Sequence, residues 1–253
     1  MPRESAESIL IVPAIHRLQV KCLRVDESSD KDAHRGHKPE IEPVPISAPG
    51  YRRSFPQGYA VRLILASSSA IRRAMLEAAG VEFEVASPQV DEAGLKADAL
   101  LTDDLALDLA KAKALSVSEG NIADWVIGSD SVITVQGGLF DKPADRNQAA
   151  KHLRFFSGKT IQLTSAVALA RGSVIDWSHA QTAALEVRPL SDHFIADYLE
   201  CEWPAVSRCV GIFRIEGPGV QLFSSVEGDH FTILGMPLIP LLQALRERGL
   251  LNA

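Results

Sequence analysis

One run of residues constrains the fold more than any other: Val126-Ile-Gly-Ser-Asp130-Ser-Val-Ile, an apolar, strand-like segment leading straight into an acidic residue. A strand ending in Gly-Ser-Asp sets a carboxylate at the carboxyl edge of a sheet, where open α/β sheets collect their ligands. Lys142 follows, held by Pro143, and brings a positive charge toward the same cleft. A carboxylate and a lysine suit a metal-bound polyphosphate better than a neutral substrate. On its own, however, a surface Asp and Lys beside a buried strand explains the stretch equally well.

The segments around this run alternate. Residues 61–66 read as a strand, and 67–80 as a helix opened by serine and closed by glycine. Residues 81–86 alternate like a strand and lead into a loop from Pro88 to Glu92. A helix is expected over 102–117 with Thr102 as its cap, and another over 145–156. Residues 161–170 and 174–185 look like paired strands, followed by a serine-capped helix at 191–200, a strand at 220–227 and a closing helix at 238–248. Strand and helix alternate first and a hairpin enters later, which predicts an α/β fold with a mixed sheet.

Composition excludes several classes. At 46% hydrophobic residues the chain can bury a full core. A net charge of −6 argues against binding a nucleic acid polymer, which needs clustered Lys and Arg. The three cysteines, Cys22, Cys201 and Cys209, have no CxxC spacing and fit a reducing cytoplasm better than a disulfide framework. No apolar run approaches membrane-spanning length, and residues 9–15 are too short for a signal peptide and contain a proline. Residues 26–53 are dense in charge, Pro, Gly and His, and 1–59 read as a mostly disordered extension, or as upstream sequence translated from an early start codon. The folded domain is expected over 60–253, and His34 and His37 read as part of a solvated linker.

Three further clusters carry chemistry. Ser67-Ser-Ser69-Ala-Ile-Arg72-Arg73, between a strand and a helix, offers hydroxyls, free backbone N–H groups and two guanidiniums at a helix amino end, a setting that favours anions. Asp91-Glu92 could share a Mg²⁺ with Asp130. Lys111 and Lys113 lie two apart on a helix, so at most one of them enters a given cleft. Each item alone also fits a capped helix or a solvated face. No Walker or Gly-x-Gly-x-x-Gly loop is present.

Taken in order, these blocks resemble the Maf family of nucleoside triphosphate pyrophosphatases, also called septum formation or Maf-like proteins. Leu-Ala-Ser67-Ser-Ser69-Ala-Ile-Arg72-Arg73 is similar to the family's opening, Val90-Asp91-Glu92 to its acidic loop, and Ala110-Lys-Ala-Lys113-Ala to its lysine helix. Ile127-Gly-Ser-Asp130 with Lys142-Pro143 resembles its core, as do Ser157-Gly158-Lys159 and Gly228-Asp-His through Gly235-Met-Pro237-Leu. The resemblance runs from about residue 61 to 249 and leaves out the extension.

The resemblance implies a two-lobed α/β fold with an elongated mixed sheet flanked by helices, as in Maf and ITPase-like proteins, and a nucleotide cleft between the lobes. It implies hydrolysis between the α and β phosphates, giving a nucleoside monophosphate and diphosphate. Asp130 would be the proton acceptor, Glu92 a metal or water partner, and Lys113 and Lys142 phosphate cations. Ser67, Ser69, Arg72 and Arg73 would hold the polyphosphate, with Mg²⁺ or Mn²⁺ on Asp130 and Glu92. A homodimer and a house-cleaning role in the nucleotide pool are also implied. Ile71, Ser131 and Glu216 stand where the branches of the family differ: the x-Arg-Arg, Gly-Ser-Asp and Glu216-Gly217 features lean toward the 7-methyl-GTP pyrophosphatase branch, while Ser131 in place of that branch's Gln leaves a third, unassigned branch equally open. A buried carboxylate would favour the positive charge of 7-methylguanine. A non-enzymatic, nucleotide-binding regulator of septum formation is the competing class.

The remaining features read as structural. Trp125, Trp177 and Trp203 suit packing, with Trp203 or Phe213 also able to stack on a base. Cys201 and Cys209 lack an activating histidine pattern, and His152, His179, His193 and His230 lack metal spacing.

Overall fold

The computed structural model describes residues 61–98 and 104–252. The extension expected over 1–59 and the cap expected at Thr102 lie outside the described residues.

Short apolar runs build the parallel part of the sheet. β1 (Leu63–Ala66) is buried on both faces and lies between β2 (Glu84–Ala86) and β3 (Trp125–Val135), parallel to each. The rest is antiparallel: β5 (Thr160–Arg171), β6 (Val174–Val187) and β7 (Phe223–Glu227) follow beyond β3, and β4 (Gly138–Phe140) folds back on β3. The order is β2-β1-β3-β5-β6-β7, the mixed sheet that the sequence predicted. Seven helices flank it: α1 (Ala70–Ala78), α2 (Glu92–Asp98), α3 (Leu105–Ser118), α4 (Arg146–Phe156), α5 (Asp192–Glu202), α6 (His230–Leu234) and α7 (Leu238–Glu247) among the described residues.

Sequence signals account for most ends. The hydroxyls of Ser69 and Ser191 accept the N–H groups of Arg72 and Phe194, and Asp145 accepts that of Gln148. Three short elements were not expected. Asp91 accepts the Gly94 N–H at the start of α2, and Asp229 caps α6, which stops at Gly235 in the left-handed region (φ 112°). β4 enters through a two-residue turn at Gln136-Gly137, where both residues have positive φ.

One expectation is corrected: β3 does not end at Asp130 but continues to Val135. Its backbone is satisfied along the whole length by β5, from Trp125 opposite Arg171 to Val135 opposite Ile161. The other edge is interrupted. β1 covers residues 125–128 and β4 covers 133–135, so residues 129–132 face a notch with no strand partner among the described residues. Asp130 therefore lies two residues past the last parallel pair, Ala66 opposite Gly128.

Alternation along β3 sorts its residues onto two faces. Trp125 and Ile127 join α1 and α7 in one apolar cluster, while Ile133 and Val135 join α4 and α5 in another on the same face. Ser129 and Ser131 lie between these clusters and make the join polar. Val126 and Gly128 face α3, whose Ala106, Ala110 and Ala114 pack against Ile64, Ala66 and Ala168 in a third cluster. Asp130 points to this α3 side.

Candidate active site

Gly128 controls how near α3 comes to the strand. A Cβ there would lie 2.1 Å from the Ala110 carbonyl oxygen and 2.5 Å from the Ala114 nitrogen, so the helix backbone rests directly on β3. That approach carries Lys113 to Asp130, with its Nζ donating to Oδ1 at 2.8 Å. The same Nζ lies 2.7 Å from Oε1 of Glu92, which stands in the first turn of α2. Lys111 points elsewhere and pairs with Asp108. Asp91 spends its carboxylate on α2 and does not join the group.

Charge at Glu92 follows from its neighbours. Partial burial pushes its carboxyl up, but the Lys113 hydrogen bond, followed by the charges of Lys113, Lys142 and Lys96, brings it below the ordinary value. Lys96 of α2 also pairs with Asp141, the residue before Lys142, and so ties α2 to the loop after β4. Lys142 is exposed and makes no ion pair among the described residues.

The arginine pair divides. Arg72 is buried against the opposite face of β3, where its Nε donates to the Gly235 carbonyl at 2.9 Å, Nη1 to the Ser129 carbonyl at 3.0 Å and Nη2 to the Ser131 hydroxyl at 3.0 Å. Its Nη2 is also 4.0 Å from Asp130 Oδ1. Burial lowers its pKa, opposed by the charges of Asp130 and Glu92. Three donors are thus committed within the protein, and Arg72 acts on the site mainly as a fixed charge and tether. Arg73, exposed at the α1 entrance, makes no ion pair among the described residues. Ser67 is buried and accepts the Ser69 N–H at 3.2 Å, while Ser69 caps the helix.

Ser131 sits on the Arg72 face, not beside the Asp130 carboxylate. Its hydroxyl meets Ser165 Oγ at 2.8 Å and the Gly235 carbonyl at 3.1 Å, and Ser165 donates to the Thr232 carbonyl at 2.8 Å. Buried Ser165 and Thr232 had no mark in the sequence beyond being hydroxyls in apolar runs. Ile71 lines an apolar groove with Ala74, Leu234, Leu238, Ile239 and Leu242 and is not among the charged groups. Glu216 is exposed in the loop that follows Arg214, and a bidentate pair between Arg214 and buried Glu202 (2.9 and 3.1 Å) anchors that loop. Burial, and then the charge of Glu216, push the Cys209 thiol up, opposed by the charges of Arg214 and Lys142.

The remaining residues pack. Phe213 is buried edge-on against Phe223 (4.9 Å), which removes it as a base-stacking surface, and Trp203 packs on the same cluster. Trp125 is in the core and Trp177 stacks on His179. His152 lies edge-on to Phe140, His230 to Phe231, and His193 is solvated beside Asp197. Among the described residues no three His, Cys, Asp or Glu side chains form a metal cluster, and no helix is long and apolar enough to cross a membrane.

Fold and site together define a mixed α/β protein with two carboxylates bridged by a lysine in a sheet notch and an arginine behind them, with exposed Arg73 and Lys142 making no ion pair among the described residues. Residues 62–248 match the model of the family described as Maf-like protein, and the chain belongs to that family. It is 44% identical over 195 residues to a 7-methyl-GTP pyrophosphatase of Rhizobium meliloti (strain 1021), covering 76% of this chain and 98% of that protein. It is 45% identical over 193 residues to a nucleoside triphosphate pyrophosphatase of Sphingopyxis alaskensis, covering 74% and 98%. A solved nucleoside-triphosphatase / dITP/XTP pyrophosphatase from Mycobacterium abscessus aligns over 75% of this chain and 96% of its own at 16% identity. Its TM-score is 0.35.

Proposed function

We propose that this chain is a nucleoside triphosphate pyrophosphatase, cleaving the α–β phosphoanhydride to a nucleoside monophosphate and diphosphate. The observation that carries the reading is the Lys113 ammonium joined at once to Asp130 and Glu92 in the notch of β3. The names of the relatives support the same reaction. Arg73, Lys142 and the first-turn N–H groups of α1 receive the triphosphate. Asp130 takes a proton from water as that water attacks the α-phosphorus; the bond to the bridging oxygen breaks and diphosphate leaves. Arg72 holds positive charge against Asp130 throughout.

Two carboxylates together with substrate phosphates form an all-oxygen donor set, which suits Mg²⁺ or Mn²⁺ better than a softer metal. Asp130 and Glu92 would hold the ion, which when bound supplies charge neutralisation for the phosphates and makes coordinated water more acidic. The same proposal sets the enzyme in the cytoplasm as a homodimer that removes altered nucleotides from the pool, and light scattering tests the dimer. The decisive assay is a panel of nucleoside triphosphates with either metal, reading monophosphate and diphosphate. Asp130→Asn should lower kcat by about 100-fold or more. Release of orthophosphate, or full rate in that variant, would sink the assignment.

A second reading, 7-methyl-GTP as preferred substrate, is favoured by the name of the Rhizobium meliloti relative, although Glu216 is exposed and not the buried carboxylate expected. Glu216→Gln should then lower kcat/KM for 7-methyl-GTP more than for dTTP. Equal losses count against it.

A further inference from the structure

Lys113 stands where a cation between two carboxylates would stand. Its side chain is 10% exposed, and among the described residues its ammonium meets only Asp130 and Glu92. Contacts of 2.7 and 2.8 Å to one nitrogen leave no space for a second cation between those two oxygens. Magnesium takes oxygens at about 2.0–2.1 Å and sheds water reluctantly, so it competes for this position rather than sharing it. Glu92 is 40% exposed, so one side of the arrangement opens to solvent, and the four-carbon lysine stem is flexible enough to re-aim. Lys142 and Arg73 remain unpaired among the described residues and are free to meet phosphate first.

Building on the pyrophosphatase reading, we propose that Lys113 is a built-in counter-ion that keeps the divalent metal out until a triphosphate arrives. The incoming phosphate oxygens take over the ammonium, and the two carboxylates are released to the metal that accompanies the nucleotide. Metal alone therefore binds weakly. By linkage, nucleotide and metal strengthen each other by the same factor.

The test measures free Mn²⁺ by electron paramagnetic resonance in titrations of the full chain, with and without an α,β-methylene nucleoside triphosphate, correcting for Mn²⁺ held by the analogue itself. The analogue should tighten Mn²⁺ binding at least tenfold. Lys113→Met should bind Mn²⁺ at least tenfold more tightly than the native chain with no nucleotide present, whereas Lys113→Arg, which keeps the charge, should not. A folded Lys113→Met with native Mn²⁺ affinity overturns the proposal, as does native protein binding Mn²⁺ equally well with and without the analogue. If Lys113→Met does not fold by circular dichroism, the native comparison decides. None of these readouts needs turnover. Expected Mn²⁺ behaviour with no cleavage of any nucleoside triphosphate would defeat the pyrophosphatase reading and leave this one standing.

Discussion

Gly128→Ala tests the packing that brings Lys113 to Asp130. The added Cβ would lie 2.1 Å from the Ala110 oxygen, 2.5 Å from the Ala114 nitrogen and 2.8 Å from the Ala114 Cβ, whereas ordinary contacts begin at 3.4 Å. The two nearest atoms are helix backbone, so no rotamer change relieves the clash; α3 must withdraw by roughly 1 Å, the scale on which overpacked cores relax. Overpacking of this kind costs about 3 kcal/mol, near the upper end of the usual range because backbone must move. For a domain of this size that lowers Tm by roughly 6–12 °C. The Lys113–Asp130 contact at 2.8 Å lengthens with the helix, and a misplacement of about 1 Å at a catalytic group costs on the order of 100-fold in rate. Thermal unfolding and steady-state hydrolysis read both effects on one preparation. A Tm within 2 °C of native, on the order of 0.5–1 kcal/mol, together with unchanged kcat would refute the argument that Gly128 sets the height of the helix.

Arg72→Lys keeps a charge but loses the fork that reaches Gly235, Ser129 and Ser131 together, so chemical denaturation should show a loss of about 2–4 kcal/mol; a loss under about 0.5 kcal/mol would mean the tether is dispensable. Arg214→Met strands the buried Glu202 carboxylate. Since Arg214 is itself 38% exposed, the expected cost is discounted to about 2–3 kcal/mol, again by denaturation, and Glu202→Gln in the same background should recover part of it. Stability should fall on acidification for a defined reason. Burial pushes the Asp124 carboxyl up, but hydrogen bonds from the Arg62 side chain and backbone, and then its charge, bring it below the ordinary value, and Glu92 is lowered likewise. Groups depressed in the folded state contribute stability above their unfolded values and lose it as pH falls through the folded ones, so Tm should hold from pH 7 to about pH 5 and drop below about pH 4. Asp124→Asn should flatten part of that drop, and an unchanged acid slope would rule out this pair as a cause.

Local sequence carried the fold well where one signal covers a whole element. Ser69 before an apolar-periodic helix, Ser191 before α5, and two long alternating runs joined by Gly172-Ser173 left little freedom. α2, α6 and β4 were missed, because they are too short to show a period and declare themselves only through Asp91, Asp229 and the Gln136-Gly137 turn. The end of β3 was misplaced because Asp130 looks like a stop, and the β5 backbone that carries the strand onward lies 36 residues away in sequence at Ala166. In the site, Asp130 and Glu92 were legible as carboxylates that could share an ion, while Lys113 was separated from Lys111 only by the resemblance and was expected on phosphate; the structure sets it between the two carboxylates. Arg72 was not legible as a tether. An Arg pair at a helix start looks like a surface feature, and the carbonyl that buries this one is 163 positions distant.

That distance has a consequence for how the protein is made. Asp130 and Lys113 are 17 positions apart and can meet soon after both are made, whereas the Gly235 carbonyl that clasps Arg72 is made 163 positions after it. Closing so long a loop carries a larger entropic cost than closing a short one, and local contacts do not repay it. A nascent or prematurely terminated chain would hold both carboxylates, the bridging lysine and the arginine, yet leave the guanidinium unanchored behind them. The site is thus assembled from its middle outward, and its last fastening waits for the longest of its loops to close.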